Sequence, residues 1–178
     1  MKLPIAILAG GLGKRLDKKT TNIPKALLDI SGKPFISRQL NYLRDQGFNK
    51  IVICIGHYGD KIKNFVGDGS NYNLNVIYSD DGKQLLGTGG SLKKACKILD
   101  KNFFVLYGDS FLPVNFSLIE KAFLNQEKPA LMTILKNSNQ WDKSNVYFKN
   151  KNVIYNKKNP EKDMNYIDYG LSVVNNSI

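Results

Sequence analysis

Residues 7–16 read ILAGGLGKRL: an apolar run, then a glycine cluster, then two adjacent cations. Packing alone asks for no such order. Glycines lack a Cβ and let backbone N–H groups approach a ligand closely, and successive N–H groups form a concave cradle for anions. Lys14 and Arg15 add positive charge beside it. The chemistry that suits these residues is the gripping of a phosphate chain. Further on, Lys25 follows Pro24, and Asp109 follows Gly108 at the end of the apolar run FFVLYGD. A lysine is a mobile point charge for phosphate, and an aspartate is a hard oxygen ligand suited to Mg²⁺.

Two common phosphate motifs do not fit. A P-loop needs Ser or Thr after its Gly-Lys, and Gly13-Lys14 is followed by Arg15. The dinucleotide fingerprint needs a third glycine, and Leu16 stands in its place.

The elements that must position these residues alternate. Short runs rich in Ile and Val at residues 3–9, 50–55, 74–79, 103–107 and 130–135 read as strands. Between them, Phe35, Ile36, Leu40 and Leu43 recur at helical spacing and stop at Gly47. Shorter helical patterns carry Ile62, Phe65 and Val66, then Leu92, Ala95, Cys96 and Leu99, then Leu118, Ile119, Ala122 and Phe123. Such alternation predicts an α/β chain with a mostly parallel sheet and helices on both faces. Ligands then bind beyond the carboxyl ends of the strands. The turns at Gly10 and at Gly108 should open on that one edge. After residue 135 the strand candidates 146–149, 152–156 and 166–174 are separated by polar turns, which predicts a small C-terminal β appendage over the edge.

The longer stretch LAGGLGKRLDKKTTNIPKALLDISGKPFI, residues 8–36, resembles the opening signature of the sugar-1-phosphate nucleotidyltransferases, also called NDP-sugar pyrophosphorylases. LGTGGSL (86–92), FVLYGDSFL (104–112) and YIDYGLSVV (166–174) are similar to three further segments of that family. The resemblance spans nearly the whole chain and points toward the heptose- or hexose-1-phosphate branch. It implies a Rossmann-like, GT-A-like fold and transfer of a nucleotidyl group from an NTP to a sugar 1-phosphate, with Mg²⁺ as cofactor. It implies catalytic roles for Arg15 and Lys25, and nucleotide contacts from Leu8, Ala9, Gly10, Gly11, Gly13, Lys14, Gly87, Thr88, Tyr107 and Gly108. Asp109 would be the metal ligand. Ser144, Asn145, Lys157, Asp168 and Gly170 would hold the sugar phosphate.

This sequence departs from the family pattern in two places. YNKKNPEK (155–162) lacks the glutamate of the family's Glu-Lys-Pro, and Lys157 or Lys158 supplies the lysine. WDKSNVYF (141–148) stands where relatives have a Gly-Val or Gly-Arg-Val turn. Nucleobase and sugar stay open. The expectation is one nucleotidyltransferase domain over 1–178, without the C-terminal segment of longer relatives.

Competing readings exist for each residue. Arg15 and Lys25 could be solvated loop cations. Asp109 and Thr88 could cap helices, and Asp168 could be a surface strand residue. A second function class is a sensor of the same fold that binds nucleotide or sugar phosphate without turnover. A net charge of +11 raises a third, nucleic-acid binding. The lysines are scattered, however, without basic–aromatic interleaving, so nucleic acid is not expected as a partner. A homo-oligomer is compatible with the sequence.

The chain has 178 residues, 42% hydrophobic and 23% charged, enough for one domain with a real core. No apolar run approaches the roughly 18 residues of a membrane span. The N-terminus lacks a cleavage-site pattern, and a cytoplasmic, membrane-free location is expected. His57 is the single histidine. The two cysteines, Cys54 and Cys96, sit in apolar patterns that indicate core residues rather than a disulfide or zinc site.

Overall fold

The sequence KIVICI at residues 50–55 is apolar from its second residue on, as a strand covered on both faces must be. In the computed structural model, which describes residues 2–11, 23–82, 84–150 and 152–177, its last five residues are all buried. The strands are β1 (Ile5–Leu8), β2 (Asp29–Ile30), β3 (Lys33–Pro34), β4 (Lys50–Ile55), β5 (Asn75–Asp80), β6 (Asn102–Tyr107), β7 (Ala130–Lys136), β8 (Val146–Lys149), β9 (Asn152–Tyr155) and β10 (Tyr166–Asn175). The α-helices are α1 (Phe35–Asp45), α2 (Gly59–Val66), α3 (Gly87–Ala95) and α4 (Phe116–Leu124).

Among the described residues, eight strands form one mixed sheet in the order β5-β4-β1-β6-β10-β8-β9, with β7 also paired to β10. The pairs β5–β4, β4–β1 and β1–β6 are parallel. β10 runs antiparallel to β6, β7 and β8. β2 and β3 form a separate small ribbon.

Helices cover both faces, as the alternation predicts. Ile5, Ile7, Ile51, Ile53 and Ile55 pack with residues of α1, α2 and α4. Ala6, Val52, Cys54 and Val105 face the other way and pack with Ala95 and Leu92 of α3. α1 ends as its sequence dictates. Gly47 adopts φ +83°, its N–H donates to Arg44 O, and the Phe48 N–H donates to Leu43 O. That is the Schellman pattern, in which a left-handed glycine closes the helix. Phe48 then meets Phe104 and Phe116 edge-on, with ring centroids 5.4 Å and 5.1 Å away, joining α1, β6 and α4 in one aromatic cluster.

Three details differ from the sequence expectation. α4 buries Phe116 and Phe123, while Leu118 is 65% exposed. β7 does not extend the parallel set but lies antiparallel to β10. β10 is no part of an edge appendage: it is the direct neighbour of β6, with β7 along its other flank and the β8–β9 hairpin joined at Tyr166.

Candidate active site

β1, β4 and β6 end side by side. The Ala9 N–H donates to Cys54 O at 2.9 Å, and the Gly108 N–H donates to Leu8 O at 3.0 Å. Two glycines permit this contact. A Cβ on Gly108 would stand 2.6 Å from Leu8 O, and one on Gly10 would stand 3.2 Å from the backbone of Gly56. Gly11 differs: among the described residues a Cβ there would meet nothing within 4 Å, and its φ is not in the left-handed region. Those residues give no reason for glycine at position 11. A ligand lying on its backbone would.

These strand ends border a cavity of about 510 Å³. Leu8, Ala9, Gly10 and Gly11 line it from β1, and Tyr107, Gly108 and Asp109 from β6. Lys25 reaches it from the turn Lys25–Leu27, which follows the buried Pro24. Lys25 Nζ lies 3.3 Å from Asp109 Oδ2, with the lysine side chain 27% and the aspartate 52% exposed. A pair so exposed adds only about 0–1 kcal/mol to stability, so fold stability does not explain why residues 84 positions apart meet here. Asp109 caps no helix, because α4 begins at Phe116 and Asn115 is its cap. Gly87 and Thr88 bring the first turn of α3 to the cavity wall. Its cap position is Leu86, without a side-chain cap bond, so Thr88 is not the cap either. Unsatisfied N–H groups and the positive end of the helix dipole favour an anion there.

On the far side of β6, the Tyr107 hydroxyl donates to Asp168 Oδ2 at 2.8 Å, and the Gly170 N–H donates to Oδ1 at 2.9 Å. Burial first, then the bond to Asp168, pushes the Tyr107 phenol far above its ordinary range. Tyr155 is also raised, by burial and then by the Asp168 charge. Gly170 has φ +84°, and a Cβ would stand 2.8 Å from Ser110 Oγ, so only glycine fits the irregularity between Asp168 and Ser172 in the β10–β7 pairing. The Asn145 side-chain oxygen accepts from the Asp168 N–H at 3.1 Å. Lys157 lines the cavity.

Gly13, Lys14 and Arg15 lie outside the described residues. Ser144 departs from expectation. It is 2% exposed, and its hydroxyl accepts from Asn137 Nδ2 and the Asn139 N–H, both at 3.0 Å. It clasps the loop before β8 and does not turn to the cavity.

Sequence reading missed several cavity-side residues. Asp81 follows β5 and lines the cavity, and its Oδ2 accepts from Ser91 Oγ at 2.5 Å and from the Leu86 N–H at 3.3 Å. This carboxylate ties the loop before α3 to the helix. The Asp80-Asp81-Gly82 turn was its only signal. Cys54 also lines the cavity, and its thiol is pushed up to about 12, by burial first and by the Asp81 charge second. It stays protonated at neutral pH and is no nucleophile. Gln39 is buried beneath the Asp109 turn; its signal was a polar residue within the apolar stripe Ile36, Leu40, Leu43 of α1.

The sequence model of the MobA-like NTP transferase domain matches residues 5–160. The chain is 34% identical over 137 residues to the D-glycero-alpha-D-manno-heptose 1-phosphate guanylyltransferase of Campylobacter jejuni, covering 77% of this chain and 59% of that protein. It is 38% identical over 112 residues to the N-acetylmuramate alpha-1-phosphate uridylyltransferase of Neisseria meningitidis, covering 62% and 48%. The chain thus spans about half the length of these curated relatives. Among solved structures, HddC from Yersinia pseudotuberculosis, in complex with GMP-PN, superposes with a TM-score of 0.81 at 26% identity, over 99% of this chain and 78% of that one. The inositol-1-phosphate CTP transferase of T. maritima shares the fold, with a TM-score of 0.76 at 23% identity.

Proposed function

The chain belongs to the MobA-like NTP transferase domain family, and on that premise we propose that it transfers a nucleotidyl group from an NTP to a sugar 1-phosphate. A phosphate oxygen of the sugar phosphate attacks the α-phosphorus, the bond from that phosphorus to the β-phosphate oxygen breaks, and pyrophosphate leaves. Two polyanions must meet in line, so the protein supplies charge and orientation rather than a nucleophile.

One observation carries the reading: Lys25 and Asp109 converge at 3.3 Å over the cavity edged by Gly10 and Gly11. On this reading the substrates lie along the strand order. Gly87 and Thr88 mark the nucleotide side, Gly10 and Gly11 the phosphates, and Asn145, Lys157, Asp168 and Gly170 the sugar side. Strands lie about 4.8 Å apart, so the four steps from β5 to β10 span about 19 Å, room for two substrates end to end. Lys25 then moves from Asp109 to the α-phosphate oxygens, and Arg15 takes the leaving pyrophosphate.

The chemistry of the donor set fits Mg²⁺. Asp109 offers a half-exposed hard oxygen, and among the described residues no group of three or more His, Cys, Asp or Glu converges. Mg²⁺ commonly uses one or two carboxylates and fills its shell with water and substrate phosphates. Bound there by Asp109, it would neutralise phosphate charge and align the two phosphate groups.

The relatives named above act with different nucleotides, so the test is a pyrophosphate-release screen of four NTPs against a panel of sugar 1-phosphates, with and without Mg²⁺. GTP with heptose 1-phosphate is the first arm, after the Campylobacter relative. Release that needs both substrates and the metal is expected. Tight NTP binding with no release from any pair would instead support the sensor reading.

A further inference from the structure

Gln39 stands on the apolar stripe of α1 with Ile36, Leu40 and Leu43, and is 2% exposed. Its Nε2 donates to Ser110 O at 2.8 Å and to Tyr107 O at 3.3 Å. Those two carbonyls bracket the Gly108–Asp109 turn. Within the turn, Tyr107 O also accepts from the Ser110 N–H at 3.1 Å. The amide therefore closes the turn from below, while Gly170 of β10 packs against Ser110 from the side.

Among the described residues, Gln39 Oε1 is buried with no partner. The reverse orientation of the amide would aim that oxygen at two carbonyls, so donor chemistry fixes the orientation given. An unpartnered buried acceptor is costly. Methionine, similar in shape and apolar, would remove that orphan oxygen but leave Ser110 O without its donor. Stability of α1 does not account for an amide at this position, whereas fixing the turn does.

We propose that Gln39 is a positioning residue for the Asp109 carboxylate: it sets the turn that presents Asp109 to Lys25 and to Mg²⁺, and touches neither substrate. The inference rests on the proposed nucleotidyl transfer. It is tested with Gln39→Met and Gln39→Leu. Mn²⁺ is titrated, by its EPR signal, into protein saturated with the NTP that the release screen selects. Disturbing a residue behind a metal ligand typically costs 10–100-fold in affinity. Half-saturation by Mn²⁺ is expected to rise about tenfold in both variants, with the melting temperature within a few degrees of wild type, because removing the orphan Oε1 offsets the loss of the donor to Ser110 O. In an Asp109→Asn background the same substitutions should add less than about twofold, because Gln39 acts through Asp109.

Unmoved half-saturation, or an equal loss in both backgrounds, overturns the positioning role. So does a sharp fall in melting temperature in both variants, since the amide would then be kept for stability. A wild type that releases no pyrophosphate overturns the proposed function itself; a working wild type with unmoved variants overturns only the role of Gln39.

Discussion

Gly11 and Gly108 line the same cavity, yet the structure assigns them opposite reasons for lacking a side chain. At Gly108 a methyl group would sit 2.6 Å from Leu8 O and 3.0 Å from Ala9 Cα, and both neighbours are backbone held inside the sheet. Overpacking of that kind costs about 1–3 kcal/mol, and losing the Gly108 N–H to Leu8 O bond adds about 1 kcal/mol. Gly108→Ala should therefore lose about 2–4 kcal/mol, which at a urea slope of about 2 kcal/mol/M shifts the unfolding midpoint down by about 1–2 M. At Gly11 the methyl group meets no atom of the described residues, and φ is permissive. Gly11→Ala should leave stability unchanged or raise it by about 0.4–1 kcal/mol, through a stiffer unfolded chain. Its NTP affinity should nevertheless fall at least about tenfold, about 1.4 kcal/mol, because the methyl group occupies the approach to the backbone. Urea unfolding and calorimetric NTP titration of both variants check this. A Gly11→Ala protein that binds NTP like the wild type refutes the claim that a ligand is the reason for that glycine.

Other expected outcomes follow from the same geometry. Lys25→Ala and Asp109→Ala should each depress pyrophosphate release by about 10²–10³, with melting nearly unmoved since the pair is solvent-screened; comparable losses in stability and rate would refute the assignment. Gly170→Ala should cost about 1–3 kcal/mol from backbone strain at φ +84°, read by urea unfolding. Cys54 should titrate stability at high pH. Its native thiol is raised from 9.0 to about 12, so native and unfolded states are both protonated below pH 9. Above pH 9 the unfolded state ionises first, and this contribution is lost at about 1.4 kcal/mol per pH unit as the pH rises toward about 12. Cys54→Ala should flatten that decline in a pH series of urea melts; an identical slope in both proteins would contradict the shift.

Local signals carried much of this molecule. β1, β4, β6 and α1 announced themselves through unbroken apolar runs, helical spacing and the glycine that ends α1. The Gly10–Gly11 and Gly108–Asp109 turns were legible because chemistry-bearing residues stood at strand ends. Partner choice was not legible. β7 and β10 have ordinary strand sequences, and nothing local says that β10 lies beside β6 or that β7 runs antiparallel to it. α4 was misread in detail because Leu118 mimics a core residue beside Ile119 and Phe123, which do pack inward, while Phe116, outside the stripe as read, fills the space beside Phe48 and Phe104. Ser144 was misplaced because a hydroxyl in a loop reads the same whether it faces a ligand or clasps Asn137. Gln39 and Asp81 were missed because their roles are hydrogen bonds across the fold, to Ser110 and Ser91.

The place of β10 between β6 and β7 bears on how the protein is made. A ribosome delivers β1, β4, β5 and β6 well before residue 166 emerges. Until then the nascent chain shows the bare, unpaired flank of β6 to its surroundings, the kind of edge that recruits foreign strands. Stalling synthesis between α4 and β10 should hence yield chains that chaperones retain, and release of ten more residues, Tyr166–Asn175, should free them.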